Sequence, residues 1–555
     1  MKNLNAATWE LLHSDLQKIK DQNDLSDYKR LLAKKYGTGL ILHAQIIEEL
    51  RKIGKKNKLN PEEKNNLTIL QKLLRKRAIR TLSGIAPVAV LTKPYPCPGN
   101  CAYCPSEKDV PASYLSNEPA VMRAIRCEYD PYRQVSLRLK ALENNGHEPN
   151  KIEIIVIGGT WSYLPQGYKY WYILNCFKAA NDFQKNRLAF LETENATEIK
   201  NFLDKIIKRQ NTKLKPEAKI EILKKELAKE QKRNETAKYQ IIGLTLETRP
   251  DYITDQELLE MRELGATRVE IGVQAIDDKI LELNKRGHGV KEIIEATKLL
   301  RDYGFKITYH FMPALPGSTP AKDFTMFKRL FTDSDFQPDQ IKFYPTVVTK
   351  GSLLYKWYKQ GKYKPYTDQQ LQALIAQCKG IIPRYVRVIR LIRDIPGESI
   401  VAGNLITNLR QIMANRGTKC ECIRCREARE QKINLKDIQF NEQKYPANGG
   451  TEYFLSCDSK DGQTLFGFCR LSINHKSPIA PAIIRELHVY GELVPVGGES
   501  KTQHSGLGKR LMALAEAIAK KEKCQKLAII SGVGVRGYYK KLGYKLKDTY
   551  LVKNI

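Results

Sequence analysis

The stretch CPGNCAYCPSE, residues 97–107, decides how this chain is read. Cys97, Cys101 and Cys104 stand in the order CxxxCxxC. Three thiolates on one short loop can hold three irons of a 4Fe-4S cluster and leave the fourth open. That open iron is where S-adenosylmethionine (SAM) can be gripped by its amino and carboxylate groups and cleaved reductively. Pro98 and Gly99 impose a tight path between the first two cysteines, and Tyr103 places an aromatic ring next to the cluster. A zinc knuckle is the competing reading, but zinc asks for a fourth ligand. The next cysteine is Cys127 and the nearest downstream histidine is His147, neither close by in the chain.

Outward from the loop, residues 83–400 repeat strand, loop and helix. GIAPVAVLTKP runs into the cysteine loop, and EIIVIGGT (153–160), QIIGLTLETRP (240–250), RVEIGVQ (268–274), KITYHFMPAL (306–315), QIKFYPTVV (340–348) and YVRVIRLIRDIP (385–396) read as strands. Helical stretches such as DQELLEMREL and KEIIEATKLLRDY lie between them. This alternation predicts an α/β domain over 81–400, a parallel barrel or partial barrel with its chemistry at the C-terminal strand ends. Gly158, Gly159 and Thr160 fall there, as do Glu247, Arg249 and Gln274. Residues 184–238 interrupt the rhythm with the charged run KIEILKKELAKEQKRNETAK and read as an excursion from the barrel. A solvated helical hairpin is favoured over an RNA-contacting arm.

The 555 residues carry 93 Lys and Arg against 61 Asp and Glu, a formal net charge of +32. Such an excess points to a polyanion, above all nucleic acid. Residues 1–80 read as helical, and the charge turns sharply basic after position 50: Arg51 to Lys93 holds twelve basic residues against Glu62 and Glu63. Lys72, Arg75, Lys76, Arg77 and Arg80 crowd together just ahead of the cysteine loop. A charge run is often only a solvated face, but this position favours contact with a phosphate backbone. No apolar run of membrane-spanning length and no signal-peptide pattern is present, so a soluble, cytoplasmic protein is expected. Twelve cysteines in clustered triplets suit that reducing compartment and metal binding.

Residues 401–440 read as a basic connector with a second triplet, Cys420, Cys422 and Cys425, in CxCxxC spacing. These look like three ligands of a structural zinc; Cys378, Cys457, Cys469 and His475 are all open as the fourth. From 441 the character changes. NGGTEYFLSCDS, LFGFCRLSI and ELHVYGELVPV (486–496) read as strands, QHSGLG (503–508) as a loop, and KRLMALAEAIAKK as the helix after it. Gln503, Gly506 and Gly508 form Q-x-x-G-x-G at a helix start, where bare backbone N–H groups can cradle a pyrophosphate. Such a loop alone is weak evidence. With ELHVYG before it and GVRGYYKKLGY after it, it resembles the acetyl-coenzyme A loop of the GNAT acetyltransferase fold. Tyr539 is then a hydroxyl donor beside the thioester or a plain core aromatic. Glu486 and His488 are candidates for proton transfer.

Taken together, EPAVMRAIRCEYDPY, VIGGT, LTLETRPDYI, TRVEIGVQ, NKRGH, HFMPALPG, KFYPT, RELHVYG and ISGVGVRGYYKKLGY resemble the family of the Elongator catalytic subunit, from about residue 80 to the end. The resemblance implies a radical-SAM partial barrel joined to a GNAT domain at 441–555, with Cys97, Cys101 and Cys104 on the 4Fe-4S cluster. It also implies acetyl-CoA contacts at Lys151, Glu486, Leu487, His488, Val489, Leu507, Gly508, Lys509 and Tyr539, and a SAM contact at VIGGT. The compact CPGNCAYC and the cysteine-rich connector look like the bacterial and archaeal branch; Ala314 stands where eukaryotic members have Asp.

The implied reaction forms 5-carboxymethyluridine at the tRNA wobble position from a SAM-derived radical and acetyl-CoA. Glu247, Arg249, Lys306 and Tyr344 are the expected pocket lining. The implied partners are the tRNA anticodon arm, held by the basic segment 1–80, and an electron donor for the cluster; a homodimer stays open. Two other readings compete: a protein lysine acetyltransferase with a non-catalytic RNA-binding barrel, and a tRNA-binding scaffold without catalysis.

Overall fold

In the computed structural model, the first sheet is parallel and seven-stranded. Its members are β1 (Ala86–Leu91), β2 (Lys151–Ile157), β3 (Gln240–Thr248), β4 (Arg268–Gln274), β5 (Lys306–Phe311), β6 (Gln340–Phe343) and, past the short β7 (Val348–Thr349), β8 (Arg387–Arg390). They lie in sequence order with β1 and β8 at the edges, so the sheet curls into a partial barrel without closing. The structure describes residues 2–19, 21–39, 41–56, 58–75, 84–192, 196–209, 214–406, 408–429, 437–490 and 506–555. Lys76, Arg77, Arg80 and Gln503 lie outside these ranges.

β2 shows how the sheet is built. Ile152, Ile154 and Val156 are buried among the core residues of the covering helices, whereas Lys151, Glu153, Ile155 and Ile157 are half-buried and line a cavity. That alternation is the strand period of two. Several strands end earlier than the apolar runs suggest. β5 stops at Phe311 because Pro313 has no N–H to continue a ladder. The chain then turns at Ala314 (φ +64°), whose N–H donates to Asp323 Oδ2 at 2.7 Å and whose carbonyl accepts from the Tyr363 hydroxyl. β6 likewise ends before Pro345, and 385–396 supplies only the four residues of β8.

Among the described residues, four α-helices precede the barrel: α1 (Lys2–Leu12), α2 (Gln22–Lys35), α3 (His43–Lys56) and α4 (Pro61–Leu73). They bury Leu11, Leu12, Leu25, Leu50 and Leu70 in a core of their own. α4 starts on a capping box, with Asn60 Oδ1 accepting from the Glu63 N–H at 2.9 Å and Glu63 returning the contact. The group docks by α3 on a barrel helix, Pro131–Asn144, where Arg51 meets the buried Glu143 at 3.7 Å.

The charged stretch 184–238 does not stand clear of the barrel. Helix Gln166–Glu192 begins deep in the core and runs into it, and helix Ile220–Asn234 buries Leu223 and Leu227 against that helix. Asn234 Oδ1 accepts the Ile241 N–H of β3 at 2.7 Å, and Arg233 pairs with the buried Asp182. Sparse leucines at helical spacing were enough, because the partner helix supplies the aromatic bulk of Tyr172, Phe177 and Phe183.

The second sheet is ordered β10 (Ile438–Ala447), β11 (Gly450–Ser459), β12 (Leu465–Ile473), β13 (Ala482–Val489), β14 (Lys526–Ile529), β16 (Tyr550–Asn554) and β15 (Lys545–Lys547); the small β9 (Ile400–Ala402) pairs with β7. β10 begins inside the expected connector. Its sequence IQFNEQKYPA hides a strand because one face is exposed at a sheet edge, and its register with β11 is set by Asn448 and Gly449, both at positive φ.

This sheet closes the floor of the barrel, at the N-terminal strand ends. There Arg485 forks onto Asp339 (2.7 and 2.6 Å) and reaches Glu452 (2.6 Å), Arg470 pairs with Asp339 (3.3 Å), and Arg301 faces Glu452 (3.5 Å). All five charges are at most 3% exposed. Removing one member of such a buried network strands its partners and costs about 3–5 kcal/mol.

Candidate functional site

The cysteine loop crosses the top of the barrel, at the C-terminal strand ends. Ala102 N–H donates to the Asn284 carbonyl (3.0 Å) and its own carbonyl accepts from Leu354 (2.7 Å), pinning the loop on two sides. Arg286 Nη1 donates to Cys101 Sγ at 3.3 Å and Nη2 to the Gly272 carbonyl at 2.6 Å. Cys97 is exposed, whereas burial and the neighbouring Cys101 push the Cys104 thiol up to about 12. The loop is shaped for close approach: a Cβ on Gly99 would fall 2.2 Å from Arg249 Nη1, a buried donor without a protein partner. These sulfurs, facing a cationic rim, fit a cluster whose net charge is negative.

Beside the loop, β2 ends in Gly158 (φ +129°) and Gly159 (φ +101°), followed by Thr160. A side chain on Gly158 would meet Thr92 Oγ1 at 2.2 Å, and that hydroxyl already donates to the Gly158 carbonyl. The bend therefore exposes backbone at the strand tip, where a small zwitterion such as SAM can be held by main-chain groups. Gln274, also at positive φ (+67°), closes β4 on the same side.

One cavity of about 2290 Å³ runs from this end down the barrel and is lined by residues of both domains. Its walls carry a cluster of charged side chains among apolar ones. Glu270, 1% exposed, accepts from His310 Nε2 at 2.8 Å and pairs with Lys342 Nζ, with Arg268 at 3.8 Å. Glu247 faces His310 Nδ1 at 3.6 Å and accepts from the Tyr114 hydroxyl at 3.3 Å; the Tyr344 ring meets His310 edge-on. Burial opposes charge on Glu270, but Lys342, His310 and Arg268 hold it well below the usual carboxylate range. Burial opposes charge on Lys342 too, and Glu270 more than offsets it. Glu247, Glu270 and His310 offer ligand atoms within 4.8 Å of one another, yet Lys342 and Arg268 already supply the countercharge a metal would bring.

At the floor, Lys306 pairs with Glu486 of β13 at 3.5 Å, and Arg470 reaches the other oxygen at 2.9 Å. Burial acts against its charge, but Lys306, Arg470 and His488 draw the Glu486 carboxyl down to about 2. Lys151 lines the same space, and burial brings its ammonium down to about 8. β13 pairs with β14 only over Ala482–Ile484, so Glu486, Leu487, His488 and Val489 run on beside an opening between the two strands. Gly506 (φ +80°) caps helix Leu507–Lys521, whose first turn brings Gly508 and Lys509 to the cavity. Leu507 is buried behind them, and Tyr539 is 6% exposed in the domain core with one side on the cavity.

Tyr538, which sequence reasoning passed over, is the phenol nearest the helix start: a Cβ on Gly508 would lie 3.0 Å from its hydroxyl. Arg268, Glu270, His310 and Lys342 were also passed over. Their signal was present, since Arg268 and Glu270 alternate inside the otherwise apolar RVEIGVQ.

On the flank, Cys420, Cys422 and Cys425 bring their sulfurs within 4.8 Å of one another. Hydrogen bonds from Cys420 and Cys425 hold Cys422 well below the usual thiol range, and Cys420 is pushed up in exchange. A convergent thiol set fits a single ion. Among the described residues, none of Cys378, Cys457, Cys469 or His475 joins them at that distance. No described helix is long and apolar enough to cross a membrane.

Comparison with known proteins agrees with this geometry. The Radical SAM superfamily profile matches residues 95–328, the Radical_SAM C-terminal domain 338–418, and the acetyltransferase (GNAT) family 420–544. The chain is 41% identical over 497 residues to the tRNA uridine(34) acetyltransferase of Dehalococcoides mccartyi, covering 86% of this chain and 100% of that protein. It is 37% identical to Elongator complex protein 3 of Homo sapiens, covering 87% of each. Among solved structures, the archaeal Methanocaldococcus infernus Elp3 with an N-terminal deletion aligns with a TM-score of 0.67 and 37% identity, over 85% of this chain and 99% of that one.

Proposed function

Since the chain belongs to the family of tRNA uridine(34) acetyltransferases and Elongator complex protein 3, we propose that it modifies the wobble uridine of tRNA, installing a carboxymethyl group at C5 from acetyl-CoA. The observation that carries this reading is the single cavity shared by a radical-SAM barrel and a GNAT domain. Uracil C5 is an electron-rich carbon that an acetyl enolate cannot attack directly, so an acetyl carrier beside a radical source points to carbon–carbon bond formation through hydrogen abstraction from the methyl. When bound, the reduced cluster and SAM supply a 5′-deoxyadenosyl radical able to take hydrogen from that methyl.

The chain's own residues do the rest. Cys97, Cys101 and Cys104 would hold the cluster, with Arg286 and Arg249 offsetting its charge. Gly158, Gly159 and Thr160 present backbone to SAM. Gly506, Gly508 and Lys509 offer a helix start to the pyrophosphate, and Tyr538 and Tyr539 flank the path of the thioester. Lys342 and Tyr344 donate toward a carbonyl or base edge in the barrel, while Glu247 and His310 can take up a proton. The target base has to leave its stack to reach this depth, which an anticodon loop permits at small cost. Phosphates of the anticodon arm would be met by the basic segment ahead of the barrel, and an external electron donor would reduce the cluster. Cys420, Cys422 and Cys425 would hold a structural zinc, testable as one zinc per chain in the purified protein.

The test is anaerobic reconstitution with tRNA, SAM, acetyl-CoA and dithionite, followed by nucleoside mass spectrometry for 5-carboxymethyluridine. Product that vanishes in Cys101→Ala supports the reading. Acetylated lysine peptides with no modified uridine would instead establish a protein acetyltransferase.

A further inference from the structure

The two reactive ends of this molecule lie at opposite mouths of one barrel. Cys101, Gly158 and Gln274 are at the C-terminal strand ends, whereas Lys306 and Arg387, the first residues of β5 and β8, meet the second domain at Glu486 and Tyr490, and Gln340, the first of β6, shares its cavity wall. The seven residues of β2 that separate the mouths span roughly 20 Å at about 3.3 Å each. Chemistry that joins an acetyl group to a radical cannot tolerate that separation.

The lumen between the mouths is unusual for a barrel. Small parallel barrels fill their interior with branched apolar side chains in layers. Here charged side chains stand among the apolar ones, and Glu153, Arg268, Glu270, Lys306, His310 and Lys342 line one continuous cavity from floor to top. A lumen that reaches from the opening beside β13 to the radical end has room for an extended chain that can hydrogen-bond along its length. The next two strands, β5 and β6, supply cations, Lys306 below and Lys342 above, suited to carbonyl oxygens. A pantetheine arm has that character: two amides and a terminal thioester on a narrow, flexible chain.

We propose that the barrel lumen is the track of the acyl-pantetheine arm, which enters from the floor between β13 and β14 and carries its acetyl group up past Glu153 and Ile155 to the Glu270–Lys342 level. The track rests on the reading that the GNAT domain binds acetyl-CoA. Its role is delivery: the pyrophosphate stays at the helix start of Gly508 while the reacting methyl is presented from below to a radical formed above. The lateral opening between β1 and β8 is left for the nucleotide.

The test needs no turnover. Ile155→Cys places a thiol on the lumen wall at mid-height, and Thr325→Cys places one on an exposed helix as a control. Alkylation of each full-length variant is followed by peptide mass spectrometry, with and without acetyl-CoA. At a ligand concentration ten times its dissociation constant, mass action should slow alkylation at position 155 about tenfold and leave position 325 unchanged. Adenosine 3′,5′-bisphosphate, which has the head group but no arm, should compete for the site yet give no protection. Should Ile155→Cys fail to fold, Ala89→Cys, its register partner on β1, gives the same readout. Acetyl-CoA binding by calorimetry with equal alkylation rates overturns the track alone. Absence of acetyl-CoA binding to the wild type overturns the track together with the functional reading beneath it.

Discussion

The two cysteine triplets use the same ligand atom in nearly the same spacing and are built into opposite surroundings. Cys97, Cys101 and Cys104 lie on a loop at the open end of the barrel, where Cys97 is exposed and the sulfurs do not converge to the 4.8 Å that the second set reaches. Cys420, Cys422 and Cys425 sit in a seam stitched on both sides. Ile423 N–H donates to Val386 beside β8, Ala428 N–H donates to Leu465 of β12, Arg387 pairs with Glu427, and Arg426 reaches the buried Asp458. A loop held at its base and open above can offer a cluster with a vacant iron to a substrate. A loop clamped between two sheets holds the sheets together and is suited to a structural role. Placement in the fold, more than the ligand set, separates chemistry from architecture.

The comparison breaks most readily by crossing two substitutions. Cys101→Ala should abolish 5-carboxymethyluridine formation and the iron–sulfur absorption at a cost in stability of only about 1 kcal/mol, that of the hydrogen bond from buried Arg286 to its sulfur. Cys422→Ala should do the reverse: a loss of several kcal/mol in urea titration with product per folded molecule retained. If Cys422→Ala silences a fully folded enzyme, the second triplet takes part in the chemistry and the contrast collapses.

A substitution at the barrel top sharpens the first half of the contrast. Gly158→Ala puts a Cβ at φ +129° and 2.2 Å from Thr92 Oγ1. Displacement of the strand tip by an ångström should cut 5′-deoxyadenosine formation by about 100-fold. Acetyl-CoA binding at the far mouth, read by calorimetry, should not change.

The architectural half is tested by acid. Glu486 titrates near 2 in the fold, because Lys306, Arg470 and His488 outweigh its burial, against about 4.3 unfolded. A depressed carboxyl contributes stability that is fully present above its unfolded value and is lost as pH falls from about 4.3 toward 2. The contribution is on the order of 3 kcal/mol at most. Asp339, held low by Arg485 and Arg470 despite complete burial, adds in the same direction. Urea titrations from pH 7 down to 3 should show a steep loss of stability that Glu486→Gln flattens. An unchanged slope would mean that the ionic floor does not hold the two domains together.

What could be read from the sequence follows from how local each signal is. The cysteine loop, VIGGT and the helix start at Gly506–Lys509 are contiguous, and backbone chemistry inside a few residues declares them. The floor is not contiguous. Arg301, Asp339, Glu452, Arg470 and Arg485 are scattered over three strands and two helix or loop ends, and each alone looks like an ordinary solvated charge. Helix Ile220–Asn234 was misjudged for the same reason: its two buried leucines make sense only against Phe177 and Phe183 of a helix forty residues earlier.

The smallest expected effect concerns Lys151, where function and architecture compete in one side chain. Its ammonium titrates near 8, pulled down by burial, against about 10.4 in the unfolded chain. A base with a depressed folded value opposes folding wherever the unfolded chain holds its proton, so that penalty is complete below pH 8 and fades as pH rises toward 10.4. Lys151→Met should therefore stabilise the protein at pH 7 by about 1–2 kcal/mol, with the gain vanishing near pH 10. A residue kept for packing would show no such gain. A residue kept to meet an acyl-CoA at the floor should show it together with weaker acetyl-CoA binding. Calorimetry and urea titration on the same variant decide between the two: stabilisation without loss of affinity would remove Lys151 from the site, and loss of stability would return it to the fold.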